Sequence, residues 1–316
     1  MARIAFLDTV HEVLWERLVQ GGYTCEHAES MTREEIDAGA LAEHQGIVLR
    51  SRLTLDAALM DAMPGLQWIA RSGSGLDNID VEAAADRSIR IFSSPEGNAT
   101  AVGEHAVGQL LMLLHKLAHA DRHVREGGWN REAHRGGELE ARTVGIIGFG
   151  NMGQSFAKRL MGFGCRVLVY DKYVSGFNGQ YGAQEVKMEQ LHADADIVSL
   201  HLPLTPETHG MIDANWIAQF QRPFYLLNTA RGELVDTTAL LDALDGGQMA
   251  GAALDVLEFE KRSLEGLAER PVALERLFEH PQTVLSPHVA GWTSESYFKL
   301  SDVLADKILR TKQNSL

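Results

Sequence analysis

Three side chains in the last third of the chain have the types one reaction needs. Arg231 stands in Asn228-Thr229-Ala230-Arg231-Gly232-Glu233, Glu260 in Asp255-Val256-Leu257-Glu258-Phe259-Glu260, and His288 in Ser286-Pro287-His288-Val289-Ala290-Gly291. An arginine grips a carboxylate or polarises a carbonyl through its forked N–H groups. A histidine passes a proton near neutral pH. A glutamate beside it orients the imidazole and stabilises its protonated form. Beside a nicotinamide, which gives or takes hydride, such a set could interconvert a 2-hydroxy acid and a 2-oxo acid. Taken singly, each residue also has a structural explanation. Arg231 could be a surface arginine at a helix start, Glu260 one of 43 acidic residues, and His288 a loop histidine after a proline.

These groups need a cofactor to work on, and an earlier stretch supplies a place for one. Thr143-Val144-Gly145-Ile146-Ile147 reads as an apolar strand, and Gly148-Phe149-Gly150-Asn151-Met152-Gly153 as a glycine turn opening a helix. In G-x-G-x-x-G the first glycine makes the tight turn. The second lets backbone approach a pyrophosphate, and the third lets helix and strand pack closely. The helix N-terminus then turns its N–H groups toward the phosphates. A second apolar strand, Cys165 to Asp171, ends in an acid 18 positions past Gly153. That is close to the spacing of about 20 expected for a ribose-binding carboxylate. Asp171 would accept from a 2′-hydroxyl and repel a 2′-phosphate, which favours NAD over NADP.

The chain has 316 residues and a net charge of −14, enough length for two domains. The acidic balance argues against broad nucleic-acid or anionic-membrane binding. No apolar run reaches transmembrane length, and the first residues predict no signal peptide. The two cysteines, Cys25 and Cys165, lie far apart and form no metal-binding spacing, so no metal and a reducing cytoplasmic setting are expected.

Strands are predicted at residues 3–8, 23–27, 46–50, 66–70 and 89–92, with helices at 10–20, 32–40 and 55–63 between them. Thr32 and Glu35 have capping-box spacing. Strand and helix alternate, which predicts a parallel α/β array. One long helix is predicted from Ala99 to Arg125. The second array follows, with later strands at 195–200, 224–227, 251–256 and 283–285 and a last helix from Ser294 to Arg310. Arg231, Asp255 and His288 all follow strands, on the side where α/β sheets bind ligands. So does the Gly/Ser loop Arg71-Ser72-Gly73-Ser74-Gly75, which could present N–H groups to a carboxylate or simply be a flexible turn.

The ordered set of motifs resembles the D-2-hydroxyacid dehydrogenase family over essentially the whole chain. The matching segments are RSGSGLDNID (71–80), VGEH (102–105), TVGIIGFGNMG (143–153), HLPLTPET (201–208), NTARGELV (228–235), GAALDV (251–256) and SPHVAG (286–291). The resemblance implies an α/β protein of two doubly wound parallel-sheet domains. A Rossmann NAD-binding domain, residues 99–289, would be inserted into a flavodoxin-like substrate domain of residues 1–98 and 290–316. It implies that Arg231, Glu260 and His288 are the catalytic trio. Asn151 and Met152 would meet the pyrophosphate with the three glycines, and Asp171 the ribose. His201, Leu202 and Pro203 would lie along the adenosine. Thr229 and Asp255 would lie by the nicotinamide, with Asp255 taking its carboxamide, and Ala230 and Gly291 would also bind the cofactor. Ser72, Gly73 and Ser74 would receive the substrate carboxylate, and Ser74 would also touch the cofactor. A homodimer formed through the long helix is implied as well.

Some positions depart from the family pattern. Lys261 stands where proline usually follows the catalytic glutamate, and Gly103 replaces an alanine. The segment Glu258 to Glu279 is long and charged, which leaves Glu258 as a rival to Glu260. The N-terminal half is most similar to the phosphoglycerate dehydrogenase branch, here without a trailing regulatory domain. Arg50, Arg52 and Arg71 follow strands and could hold a phosphorylated acid, or could lie partly on the surface. Glyoxylate or hydroxypyruvate reduction stays open, and so does an NAD-sensing scaffold without turnover.

Overall fold

The capping box predicted at Thr32 forms. Thr32 Oγ1 accepts from the Glu35 N–H at 3.3 Å, and the Glu35 carboxylate accepts from the Thr32 N–H at 2.8 Å, opening the helix Arg33–Asp37. The computed structural model describes residues 2–261, 266–268 and 270–313. They divide into two units, one built from residues 2–99 and 292–313, the other from 100–261 and the described part of 266–291.

The first unit holds β1 (Arg3–Phe6), β2 (Thr24–His27), β3 (Gly46–Leu49), β4 (Trp68–Arg71) and β5 (Arg90–Ser93). They pair in parallel in the order β2-β1-β3-β4-β5, which is the flavodoxin-like order. Both faces are apolar, as a sheet covered by helices on each side requires. Ala5, Ile47 and Ile69 face one layer, and Ile4, Phe6 and Val48 the other. The last helix, Ser294–Gln313, closes that second layer with Leu304, Ala305 and Ile308. Arg17 pins it to the first helix through Asp302 at 2.6 Å and Asp306 at 2.5 Å.

The second unit holds β6 (Thr143–Ile147), β7 (Arg166–Tyr170), β8 (Ala183–Glu185), β9 (Ile197–Leu200), β10 (Phe224–Asn228), β11 (Met249–Leu254) and β12 (Thr283–Leu285). All pair in parallel in the order β12-β11-β10-β9-β6-β7-β8, a Rossmann sheet whose strand order reverses at β6. Val144 and Ile146 pack with Leu110, Leu114 and Phe156, while Ile147 packs on the opposite face with Leu200 and Leu191.

Several elements differ from expectation; short helices such as Val81–Asp86 and Met188–Asp194 were not predicted, and two further differences have a visible cause. The long helix starts at Pro95, a residue suited to a first helical position, and stops at Leu114. Lys116 adopts a left-handed φ of 54°, and a separate helix runs Leu117–Arg125. A contact from later in the chain accompanies the break: the Leu114 carbonyl accepts from the Gly137 N–H at 3.0 Å, where the returning chain crosses the helix end. The edge strand β8 has no counterpart in the sequence reading, because its three residues carry no apolar run. Of the charged segment from Glu258 to Glu279, residues 262–265 and 269 lie outside the described residues, and its later part is the helix Val272–Glu279. No described helix is long and apolar enough to cross a membrane. Among the described residues no group of three or more His, Cys, Asp or Glu could hold a metal.

Candidate active site and cofactor cradle

The glycine turn lies at the carboxyl end of β6, where the strand order reverses. Gly148 has a φ of 92°, and a Cβ there would sit 2.3 Å from the His201 carbonyl oxygen. A Cβ on Gly153 would sit 2.0 Å from the Gly148 carbonyl, so the helix Asn151–Leu160 reaches the turn only without one. Gly150 is different. Its φ of −72° suits any residue, and a Cβ there would meet nothing within 4 Å. The protein itself does not ask for glycine at that position; a pyrophosphate lying against the backbone would. Among the described residues no side chain caps the first turn of this helix, so its N–H groups can be offered to phosphate oxygens.

Asp171 follows β7 and is drawn into the same turn. Its carboxylate accepts from the Phe149 N–H at 2.7 Å and from the Tyr173 and Val174 N–H groups at 2.9 Å each. The negative charge therefore sits directly beside the phosphate loop. Lys172, the adjacent cation, is turned to Glu207, which also accepts from the Tyr173 hydroxyl at 2.7 Å. On the other side of the switch point, His201 continues β9, with its N–H donating to the Ile147 carbonyl at 2.8 Å. Leu202 Cδ2 lies 3.0 Å from the point a Gly148 Cβ would occupy. The Pro203 carbonyl accepts from Thr208 Oγ1 at 2.7 Å, which closes the following loop. Thr229 Oγ1, at the end of β10, is buried without a partner among the described residues. The room beside the Gly150 backbone and the Thr229 hydroxyl without a partner among the described residues both fit a dinucleotide.

Two of the three side chains, Glu260 and His288, meet directly, and Arg231 follows β10 at the carboxyl end of the same sheet. Buried Asn228 shapes the arginine loop. Its side chain donates to the Arg231 carbonyl at 2.8 Å and accepts from the Ala230 N–H at 3.0 Å. Arg231 Nη1 donates to the Ala230 carbonyl at 2.6 Å. A Cβ on Gly232 would lie 2.0 Å from the Leu257 carbonyl carbon, so this glycine lets the 257–260 segment pass directly beside Arg231. At its end the Glu260 carboxylate contacts His288 Nδ1 at 2.6 Å and accepts from the Leu257 N–H at 2.5 Å. Glu258 is used elsewhere, accepting from Thr237 N and Oγ1 at 3.1 and 2.7 Å. Glu260, then, is the carboxylate at the imidazole. With Nδ1 bound to it, Nε2 is the ring nitrogen left to exchange a proton.

The model for the NAD-binding domain of D-isomer specific 2-hydroxyacid dehydrogenases matches residues 107–290. The chain belongs to this family. Among curated relatives, D-3-phosphoglycerate dehydrogenase of Mycobacterium tuberculosis is 37% identical over 270 residues, covering 85% of this chain and 49% of that one. The enzyme of that name from Homo sapiens is 30% identical over 306 residues, covering 96% and 55%. The chain thus spans about half the length of the curated relatives it matches. Among solved structures, the TT0316 protein from Thermus thermophilus aligns with a TM-score of 0.83 at 30% identity, covering 99% of this chain and 97% of that one. A D-lactate dehydrogenase from Aquifex aeolicus, complexed with NAD and lactic acid, aligns with a TM-score of 0.82 at 25% identity, covering 99% and 96%. The second unit is accordingly an NAD-binding domain of the D-2-hydroxyacid dehydrogenase family.

Within the first unit, the three arginines read from the sequence sit at the carboxyl ends of neighbouring strands. They are not equivalent. Arg52 spends its guanidinium on carbonyls, donating to Leu7 from Nε at 3.0 Å and Nη2 at 2.7 Å, and to Met31 from Nη1 at 2.9 Å. That fixes the loop and leaves the fork facing backbone. Arg50 lies with its guanidinium carbon 4.2 Å from the centre of the Trp292 ring, a cation–π contact. Arg71 folds back over Gly73, where a Cβ would sit 1.3 Å from Nη1. Ser72 is buried with its N–H donating to the Leu49 carbonyl at 2.9 Å, and the Ser74 hydroxyl donates to Asn98 at 2.6 Å. Asp8 and Asn78, neither singled out in the sequence, hold the loop after β3. Asp8 accepts from the Arg50 N–H at 2.5 Å, and Asn78 donates to the Arg50 and Leu53 carbonyls.

His201 also makes a prediction about stability. Its Nε2 lies 2.9 Å from Ser199 Oγ, and burial pushes the imidazole down to about 4 from an ordinary 6.5. Between those values the unfolded chain binds the extra proton. The stabilising contribution is therefore complete above 6.5 and is lost as pH falls toward 4. The expected loss is about 2 kcal/mol. Urea titrations at about pH 7 and about pH 4.5 measure it. The native chain should lose more stability than His201→Gln, and equal losses would show that the ring is hydrated in the fold.

Proposed function

We propose that the chain is an NAD-dependent dehydrogenase transferring hydride between the nicotinamide and a D-2-hydroxy acid or its 2-oxo acid. The observation that carries this reading is the 2.6 Å contact between His288 Nδ1 and Glu260 at the sheet edge that bears the glycine turn. In the reducing direction the His288 imidazolium, steadied by Glu260, gives its Nε2 proton to the carbonyl oxygen as hydride reaches the carbon. In the oxidising direction the neutral ring takes that proton back. Arg231 grips the carboxylate and polarises the carbonyl. The bound NAD supplies or accepts the hydride. Asn151, Met152 and the glycines would hold its pyrophosphate, Asp171 its ribose, His201, Leu202 and Pro203 its adenosine side, Thr229 and Asp255 its nicotinamide side, and Ala230 and Gly291 would also meet the cofactor. Ser72, Gly73 and Ser74 are assigned to the substrate carboxylate.

The first substrate pair to test is 3-phosphoglycerate and 3-phosphohydroxypyruvate, supported by the names of the curated relatives and by the arginine-rich loop after β3. Of that loop, Arg50 is the better reader of a phosphate, since Arg52 is committed to the Leu7 and Met31 carbonyls. Glyoxylate and hydroxypyruvate are the second reading. A panel of 2-oxo acids at fixed NADH separates them. Arg50→Ala is expected to raise KM for 3-phosphohydroxypyruvate at least about tenfold and to leave that for glyoxylate nearly unchanged. NADH binding without turnover of any 2-oxo acid would leave the scaffold reading in place. A homodimer is supported by the helix Leu117–Arg125, which buries none of its residues and exposes Leu117 and Val124. A cytoplasmic setting is supported by two free thiols, Cys25 in the first unit and Cys165 in the second.

A further inference from the structure

His288 holds an unusual backbone conformation, and the residues that enforce it reach back to the helix Pro95–Leu114. His288 has a φ of 54°, a region non-glycine residues rarely adopt. Asp255 imposes it by taking three consecutive N–H groups. The His288 N–H donates to its carbonyl at 2.7 Å, Val289 to Oδ1 at 3.0 Å and Ala290 to Oδ2 at 2.8 Å. The Asp255 carboxylate is 1% exposed, so its own orientation is set by protein groups. Ser286 Oγ donates to Oδ1 at 2.5 Å. That serine oxygen is met in turn by His105 Nε2 at 3.0 Å and by Gln109 Nε2 at 2.9 Å.

Counting protons fixes every role. A carboxylate has none to give, so the single serine proton points to Asp255. Both remaining serine lone pairs are then acceptors, and His105 must carry a hydrogen on Nε2. His105 and Gln109 are one turn apart on one helix face. The helix packs closely on the glycine-motif helix: a Cβ on Gly103 would lie 2.7 Å from the Ser155 hydroxyl. Oδ1 is filled by Ser286 and Val289, with His105 3.5 Å away, while Oδ2 accepts, among the described residues, from Ala290 alone. Among those residues one acceptor site on Oδ2 is left for a further N–H donor.

We infer that His105 and Gln109 are positioning residues. Through Ser286 they orient the Asp255 carboxylate so that Oδ2 can accept from a primary carboxamide, and so hold the loop that carries His288. The inference rests on the dehydrogenase reading for what that carboxamide is, the nicotinamide's. Its test uses His105→Leu, which removes the donor, and His105→Gln, which restores an N–H2 at similar reach. NADH dissociation constants come from fluorescence titration, and kcat and KM from 2-oxo acid reduction. His105→Leu is expected to raise the NADH dissociation constant and lower kcat about tenfold each, with KM for the 2-oxo acid unchanged. His105→Gln is expected to stay within about threefold of the native chain on both. Gln109→Leu removes the second donor and should move both quantities in the same direction, which keeps the test available if His105→Leu does not fold. The proposal fails if the leucine variants bind NADH as the native chain does, or if the glutamine variant is as impaired as His105→Leu. A native chain that reduces no 2-oxo acid would sink the dehydrogenase reading alone, since the NADH titrations still decide this one.

Discussion

His288→Asn is expected to lower kcat for 2-oxo acid reduction by about a hundredfold or more while leaving NADH affinity within about threefold. Asparagine is the informative replacement. His288 sits at a φ of 54°, and asparagine tolerates the left-handed region that alanine resists. The backbone grip of Asp255 on residues 288–290 should survive. What disappears is a titratable nitrogen whose other side is tied to Glu260 at 2.6 Å. Stopped-flow traces of NADH oxidation together with fluorescence titration separate the two effects. A variant with native kcat would remove His288 from proton transfer, and one that no longer bound NADH would show the loop had collapsed instead.

Much of this arrangement is legible in the sequence alone, for specific reasons. The glycine turn, the strand-end position of Asp171 and the capping box at Thr32 are local signals, in which neighbouring residues alone fix backbone geometry. The central apolar strands were legible because both sheets are covered on both faces, so strands such as β3 and β9 read as buried runs, unlike the edge strand β8. What stayed hidden depends on contacts far apart in sequence. The Leu114 carbonyl is claimed by Gly137, and no helical periodicity between Ala99 and Arg125 announces that. Arg52 and Arg50 are two residues apart with the same charge, yet one faces the Leu7 and Met31 carbonyls and the other a ring at position 292. Glu258 and Glu260 differ in what they meet only once Thr237 and His288 are placed. Ser286 carried no chemical signal beyond its place before Pro287-His288. Its importance comes from meeting Asp255, His105 and Gln109 at one oxygen.

Gly150→Val is expected to weaken NADH binding by at least about a hundredfold, a loss of roughly 3 kcal/mol, with little change in stability. The two halves of that expectation have separate causes. A Cβ at Gly150 would meet nothing within 4 Å beyond its own chain neighbours, and the φ of −72° suits valine. Replacing a glycine at a helix N-cap costs the fold only about 1 kcal/mol or less. The added methyls would instead fill the space over the N–H groups of the helix Asn151–Leu160, where a pyrophosphate must approach the backbone. Gly153→Ala is the control with the opposite pattern. Its methyl would press on the Gly148 carbonyl 2.0 Å away, so the melting temperature should fall before affinity is considered. Fluorescence titration and thermal unfolding of both variants give the comparison. If Gly150→Val binds NADH as the native chain does, the open space above that residue is not where the dinucleotide phosphates lie, and the glycine turn loses its assigned role.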